Sequence, residues 1–176
     1  MILKGFKEKS NKKHLNKLLS QRIMPVGNSR VESLGVILNS DELDDFELFR
    51  TLANLINVRP NKLKIIAFSA NKKEQLSNWD ACYNPKDFGW NGKIKNTELQ
   101  TFLNTKFDAL ISYYANEDLE LKLLTAKSEA QFKIGILQTD VRLNDLIINT
   151  SIKEFNVFKA EVHKYLTILN KIKNEQ

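Results

Sequence analysis

The chain has 176 residues, of which 42% are hydrophobic and 27% are charged, and these proportions suit one globular domain with a substantial core. The longest apolar run, residues 34–38, is far shorter than the ~20 residues that cross a bilayer, which argues against a membrane-spanning protein. The single cysteine, Cys82, excludes an internal disulfide framework, and no hydrophobic secretory segment is visible. We therefore expect a cytoplasmic protein.

The net charge of +6 is concentrated in residues 1–22. This segment holds seven basic side chains and one carboxylate, Glu8, whereas the rest of the chain has 20 residues of each sign. Clustered positive charge favours an anionic partner, because it can release counterions from phosphates. The candidate nucleic-acid-binding residues here are Lys4, Lys7, Lys9, Lys12, Lys13, Lys17 and Arg22. Leucines at helical spacing (Leu15, Leu18, Leu19) predict a helical basic arm, ordered against the body or a partner.

The body alternates strand and helix patterns. Residues 23–32, rich in turn-forming side chains, read as a linker, and residues 33–176 form the α/β domain. Strands are predicted at 33–38, 62–68, 107–113, 132–137 and 144–149, and helices at about 42–57, 97–104, 117–128 and 152–173. Asn96, Asn116 and a capping box, Ser151 to Glu154, predict three helix starts.

The pattern predicts a single three-layer α/β domain with a mixed, mostly parallel sheet of about five strands and a basic N-terminal helical arm. The first two strands and the helix between them form a βαβ unit. Only residues 138–143 separate the last two strands, which is too short for a crossover helix. We therefore expect that pair to be an antiparallel hairpin.

No segment carries a catalytic signature. The first strand-to-helix turn, Asn39 to Glu42, is acidic and lacks glycine, so it should repel phosphate and cap the following helix. The two histidines, His14 and His163, lie far apart in the sequence, and Cys82 has no partner at ligand spacing. The sequence therefore indicates no metal site, no cofactor and no catalytic residue, and nothing in it sets an oligomeric state.

The stretch 84–93 alternates aromatic residues with lysine and glycine. Lys86, Trp90 and Lys93 could form a stacking platform for bases beside phosphate contacts. The alternative is that Trp79, Phe88 and Trp90 fold this connection, part of an irregular region at 69–95, onto the sheet.

Six stretches also resemble an uncharacterised family of Bacteroidota (flavobacterial-type) bacteria. They are KGFKEKSNKKHLNKLLSQR (4–22), ESLGVIL (32–38), NPKDFGWNGKIK (84–95), FDALISYY (107–114), AQFKIGI (130–136) and NDLIINT (144–150). The resemblance spans nearly the whole chain and implies that the arm and the body form one unit. It implies no activity and no catalytic residue.

These patterns lead to one main functional hypothesis and two alternatives. We expect a binding protein whose basic arm contacts RNA, as a ribosome-associated or other translation-linked factor. The first alternative is an enzyme or small-ligand-binding domain with a crevice at the carboxyl ends of the strands, bordered by Ser69, Asn71, Tyr113 and Tyr114. The second is a membrane-surface protein that inserts Ile2, Leu3 and Phe6 between lysines.

Overall fold

The computed structural model describes residues 1–24, 27–71 and 81–173, with the side chain of residue 81 left out. Six parallel strands form one sheet in the order β3-β2-β1-β4-β5-β6. The strands are β1 (Leu34–Asn39), β2 (Leu63–Phe68), β3 (Ala81–Tyr83), β4 (Ala109–Tyr113), β5 (Phe132–Ile136) and β6 (Leu146–Ile148). The helices are α1 (Ile2–Gln21), α2 (Glu47–Leu55), α3 (Thr97–Asn104), α4 (Leu119–Lys127) and α5 (Phe155–Ile168).

Two hydrophobic clusters make this a three-layer α/β domain, as the sequence predicts. Helices α2 and α5 cover one face of the sheet, and α1, α3 and α4 cover the other. Strands β1 and β4 are buried along their whole length, as expected for central parallel strands covered on both faces. On the α2–α5 face the Tyr113 ring packs edge-on against Phe49, Phe155 and Phe158 at centroid distances of 4.8–5.7 Å.

The strand order places a topological switch point between β1 and β4. The chain runs outward from β1 through β2 to β3, and then returns to add β4, β5 and β6 on the other side of β1. In open sheets of this kind, the crevice at the carboxyl ends of the two central strands is the usual ligand position.

The prediction of an antiparallel hairpin at the end of the sheet was wrong. Strand β6 runs parallel to β5, with Ile134 opposite Leu146 and Ile136 opposite Ile148. Because β6 has only three residues, the chain needs to travel back only about 10 Å before it can pair again, and a loop does this without a helix. The sheet is therefore parallel throughout.

The buried side chains of that return loop explain how it is held. The Gln138 amide donates to the Ser112 carbonyl oxygen at 3.2 Å, and the Asn144 amide donates to Gln138 Oε1 at 3.1 Å. Gly135 leaves room for both, since a Cβ there would overlap the Gln138 and Asn144 side chains. Asp140, in the same loop, pairs with Arg142 on the surface at 2.7 Å.

The region predicted to be irregular contains strand β3, which the sequence did not predict. The sheet therefore has six strands and not the predicted five. The three residues of β3 pair with the end of β2, opposite Ile66 to Phe68. Unlike β6, which lies in an apolar run, β3 consists of Ala81, Cys82 and Tyr83 and has no apolar run that would predict a strand. The predicted packing of Trp79 lies outside the described residues.

Of the four predicted helix caps, three were wrong and one was confirmed. Helix α2 begins at Glu47, several residues after its predicted start, and Asp41 accepts no capping bond from it. Helix α4 begins at Leu119, two residues after its predicted start, and Asn116 accepts no capping bond from it. Helix α5 begins at Phe155, beyond the predicted capping box. The Asn96 side chain caps α3 as predicted, accepting from the amides of Glu98 and Leu99 at 3.0 and 3.1 Å.

Candidate nucleic-acid interface

Helix α1 is part of the folded body along its carboxyl-terminal half. Asn11, Leu15 and Leu19 are 2%, 7% and 4% exposed, and the leucines belong to the same cluster as α3 and α4. This i, i+4, i+8 stripe is the inner face of the helix. The opposite face therefore points to solvent, and the amino-terminal turns project with little cover.

The segment 84–95, here called the aromatic loop, is built from local hydrogen bonds. Asn84 and Asp87 cap a short 3-10 turn reciprocally: Asn84 Oδ1 accepts from the Lys86 amide, and Asp87 Oδ2 accepts from the Asn84 amide, both at 2.9 Å. Phe88 is fully buried and meets Phe68 edge-on at 5.9 Å. The burial of Phe88 anchors the loop to the sheet, and Trp90, two residues later, remains 47% exposed. Phe88 therefore folds the loop onto the sheet, as the alternative interpretation predicted.

Helix α1 and the aromatic loop are joined by hydrogen bonds. Asn11 Nδ2 donates to the Gly89 carbonyl oxygen at 3.1 Å, and the Gly92 amide donates to Asn11 Oδ1 at 2.9 Å. At the neighbouring positions, the Asn91 amide donates to Ser10 Oγ at 3.2 Å. Because both polar ends of the buried Asn11 amide are satisfied by the loop, the two segments have one defined relative position.

His14 completes this contact. Gly92 has φ +66°, and a Cβ there would overlap the His14 ring, so only glycine fits easily. Burial lowers the pKa of His14 below its ordinary value, and the charges of Lys127 and Lys17 act in the same direction. His14 Nε2 is buried and finds no hydrogen-bond partner among the residues that the structure describes. The neutral imidazole is therefore favoured here.

Most of the predicted binding residues lie on the solvent side. Lys4, Lys9, Lys12, Lys13, Lys17, Lys86, Trp90 and Lys93 are exposed, and Lys7 is half-buried. Lys12 pairs with Glu8 at 2.6 Å within the helix. The spacing of Lys9, Lys13 and Lys17 places these three ammonium groups in one row along the outer face. We call this row, together with Lys86, Trp90 and Lys93, the basic surface.

Arg22 has a different environment from the other predicted residues. Its Nη2 lies 2.7 Å from both carboxylate oxygens of Asp145, and Nη1 donates to the Arg142 carbonyl oxygen at 3.2 Å. The Asp145 side chain is 2% exposed. The guanidinium is thus engaged with the β5–β6 loop at the point where α1 ends, and it anchors the helix.

Comparison with known proteins identifies a family. Residues 7–169 match the model of a family of unknown function, DUF6913. The chain belongs to this family. The match includes α1 from Lys7 onward, the aromatic loop and all six strands, so the family unit contains both halves of the basic surface. No curated protein matches the chain, and no solved structure does.

Two carboxylates whose role the sequence did not reveal, Asp41 and Glu42, line the crevice at the switch point. Both oxygens of Glu42 accept hydrogen bonds from the amides of Ala115 and Asn116, at 3.0 and 2.8 Å. Asp41 accepts from Ser69 Oγ at 2.6 Å and from the Ala70 amide at 2.9 Å. The acidic turn was predicted to cap α2, but these residues tie β1 to the loops after β4 and β2.

The rest of this edge offers little to an anionic ligand. A cavity of about 340 Å³ is lined by residues 40–44, Ser69 and Asn71. Burial raises the pKa of Asp118, and the charges of Glu42 and Asp41 raise it further. Tyr113 and Tyr114, predicted to border the crevice, are fully buried, and their hydroxyls bond to Ile152 and Thr125.

Across the described helices, none combines the length and the apolar character that a bilayer crossing requires.

Proposed function

We propose that the protein binds single-stranded RNA through the basic surface, and that in the cell it does so on the ribosome. The observation that carries this proposal is the pair of hydrogen bonds between Asn11 and the aromatic loop, at Gly89 and Gly92, which fix the position of α1 and its lysine row relative to this loop. Lysines can neutralise the phosphates of a flexible strand, while the half-exposed Trp90 offers a face on which a base can stack.

The charge distribution supports this choice of ligand. Among the described residues, no carboxylate pairs with Lys9, Lys13 or Lys17, so binding a phosphate would not require breaking an internal ion pair. The charges of Lys127 and Lys17 already act on His14, whose ring lies against Gly92 of the aromatic loop. A strand of RNA along the basic surface would therefore meet positive potential at both segments.

The direct test is binding of a fluorescein-labelled single-stranded RNA, followed by anisotropy across a salt series. The triple variant K9E/K13E/K17E should weaken binding by more than tenfold. It should also make the slope of log K against log salt shallower by about 2, since each phosphate contact on a single strand contributes about −0.7. The matched control is K64E/K106E/K153E, which makes the same charge change at exposed positions elsewhere.

Trp90 supplies a second, charge-independent readout. W90A should weaken RNA binding by about 5- to 150-fold, the range expected when one base loses its aromatic partner, while W90F should retain most of the affinity. Equal loss of binding in the two lysine triples, or full binding by W90A, would contradict the proposed surface. Absence of the protein from ribosomal fractions at low salt would remove the ribosomal part of the proposal.

A membrane surface is the second candidate, and one observation favours it. Ile2, Leu3 and Phe6, on the projecting turns of α1, are 77%, 73% and 58% exposed beside lysines. Flotation with anionic vesicles should then depend on these apolar residues, and F6S should abolish it without affecting RNA binding.

The remaining alternative is a small ligand in the switch-point crevice. This crevice suits a cationic molecule best, because Asp41 and Glu42 lie there.

A further inference from the structure

A second cavity lies at the opposite edge of the sheet from the switch-point crevice. Its volume is about 490 Å³, within the usual range for small-ligand sites. Three segments line it: residues 30–32 before β1, residues 56–62 before β2, and residues 171–173 after α5. It therefore opens at the amino ends of the central strands, where the chain enters the sheet.

The lining of this cavity is strongly cationic. Among the described residues, five basic residues contribute to it against one carboxylate, Glu32: they are Arg30, Arg59, Lys62, Lys171 and Lys173. Outside residues 1–22 the chain has equal numbers of positive and negative residues, so this is a local accumulation and not a general excess. Like charges gathered in one concavity repel each other, and a bound anion relieves that repulsion.

Four of these cations are available for a ligand. Arg30, Arg59, Lys62 and Lys173 are exposed, and none forms an ion pair with any described residue. Lys171 is different: its Nζ donates to the Gly27 carbonyl oxygen at 3.2 Å and lies 4.7 Å from the centre of the Phe132 ring. It holds the wall of the cavity in place and adds to the positive field.

The backbone around the cavity is fixed by hydrogen bonds between the lining segments. The Val31 amide donates to the Lys171 carbonyl oxygen at 2.8 Å, which joins the strand entry to the segment after α5. The Lys62 amide donates to the Arg59 carbonyl oxygen at 2.8 Å, closing the 3-10 turn that follows Arg59. Buried Val31, Ile56 and Ile172 supply apolar wall between the cations. A site that combines cationic side chains on a fixed backbone with an apolar wall suits an organic molecule with charged groups better than a free ion.

We propose that this cavity binds a small organic molecule carrying two or more phosphate groups, of the size of a nucleoside diphosphate. The two arginines can each grip a phosphate with two parallel hydrogen bonds, and Lys62 and Lys173 add point charges. The apolar wall would contact the organic part. This site shares no residue with the basic surface, so it stands independently of RNA binding.

Isothermal titration calorimetry with ADP, pyrophosphate and adenosine tests the proposal. ADP should bind more tightly than pyrophosphate because it also contacts the apolar wall, and adenosine should show no measurable binding. R30E/R59E should weaken ADP binding at least tenfold, and the milder R30Q/R59Q should weaken it in the same direction. Both positions are exposed, so circular dichroism should show that the variants keep the fold.

Matched variants decide between this cavity and general electrostatic attraction. K106E/K153E makes the same charge change as R30E/R59E and should leave ADP affinity within about twofold of the parent protein. K9E/K13E/K17E should likewise retain ADP binding, while R30E/R59E should retain RNA binding. The proposal fails if neither ADP nor pyrophosphate binds at millimolar concentration, or if K106E/K153E or the α1 triple weakens ADP binding as much as R30E/R59E.

Discussion

Arg22, the first residue after the basic helix α1, pairs with Asp145, the residue that precedes the edge strand β6. Arg22 Nη2 lies 2.7 Å from each carboxylate oxygen, and Asp145 Oδ2 also accepts the Lys133 amide at 2.8 Å. The same carboxylate therefore anchors α1 and pins the return loop against β5. Arg22 resembles the neighbouring lysines in sequence, but it stabilises the fold.

Replacing Asp145 by alanine should lower the free energy of unfolding by about 2–4 kcal/mol, because a nearly buried guanidinium and a strand amide both lose their acceptor. Urea unfolding measures this change. The control is D140A, which removes the exposed pair with Arg142 and should cost less than about 1 kcal/mol. Equal costs for the two variants would mean that Asp145 is no more than a surface partner.

Two glycines that contact or lie within α1 should respond in opposite directions to alanine. G92A introduces a side chain at φ +66° that overlaps His14, so we expect a loss of about 1–3 kcal/mol and faster hydrogen exchange along α1. G5A lies within α1 with no atom near the new Cβ, and it should stabilise the protein by about 0.5–1 kcal/mol. If G92A leaves exchange in α1 unchanged, the aromatic loop does not hold the helix.

Lys133 should give the protein a distinct alkaline stability profile. Burial, with a smaller effect of the Arg22 charge, lowers the pKa of this lysine to about 8 against the opposing effect of Asp145. An unfolded lysine titrates near ~10.4. Between about pH 8 and pH 10.4 the unfolded chain binds more protons at this site, so the contribution of Lys133 to stability rises with pH and is flat below pH 8.

The measurement is the difference in unfolding free energy between the parent protein and K133M as a function of pH. The value for the parent minus the value for K133M should increase between about pH 8 and pH 10.4, because only the parent has the lysine that titrates there. The exposed K64M on β2 serves as the control, and its curve should run parallel to that of the parent. A parallel curve for K133M as well would show that the buried ammonium has an ordinary affinity for protons.

The central layers of the fold were accessible from the sequence because their signals are local and repeated. The run from Leu34 to Leu38 is apolar at every position except Gly35, as a strand buried on both faces requires, and α3 follows directly from the Asn96 cap. The direction of β6 was not accessible, since it depends on Gln138 and Asn144 bonding inside the return loop. Loop length alone favoured the wrong answer.

The candidate site, like the fold, could be predicted from the sequence only in part. The exposed lysines of α1 and the unusual composition of the aromatic loop were visible, but their contact rests on Asn11, a polar residue within a polar helix. Similarly, Asp41 and Glu42 precede a helix as capping residues do. The amides that donate to their carboxylates, however, lie in loops about 30 and 70 residues away. Long-range hydrogen bonds of this kind leave no periodic pattern.

The docking of α1 also has a consequence for synthesis of the chain. The helix is made first, but its partners, the aromatic loop and α4, follow up to about 100 residues later. At about 5–20 residues per second, Leu15 and Leu19 remain uncovered for roughly 5–20 s while the nascent chain grows. Because most helical stability in proteins comes from tertiary packing, α1 gains most of its stability only when α4 emerges. Closing that side of the sheet is therefore a late, non-local event in cotranslational folding.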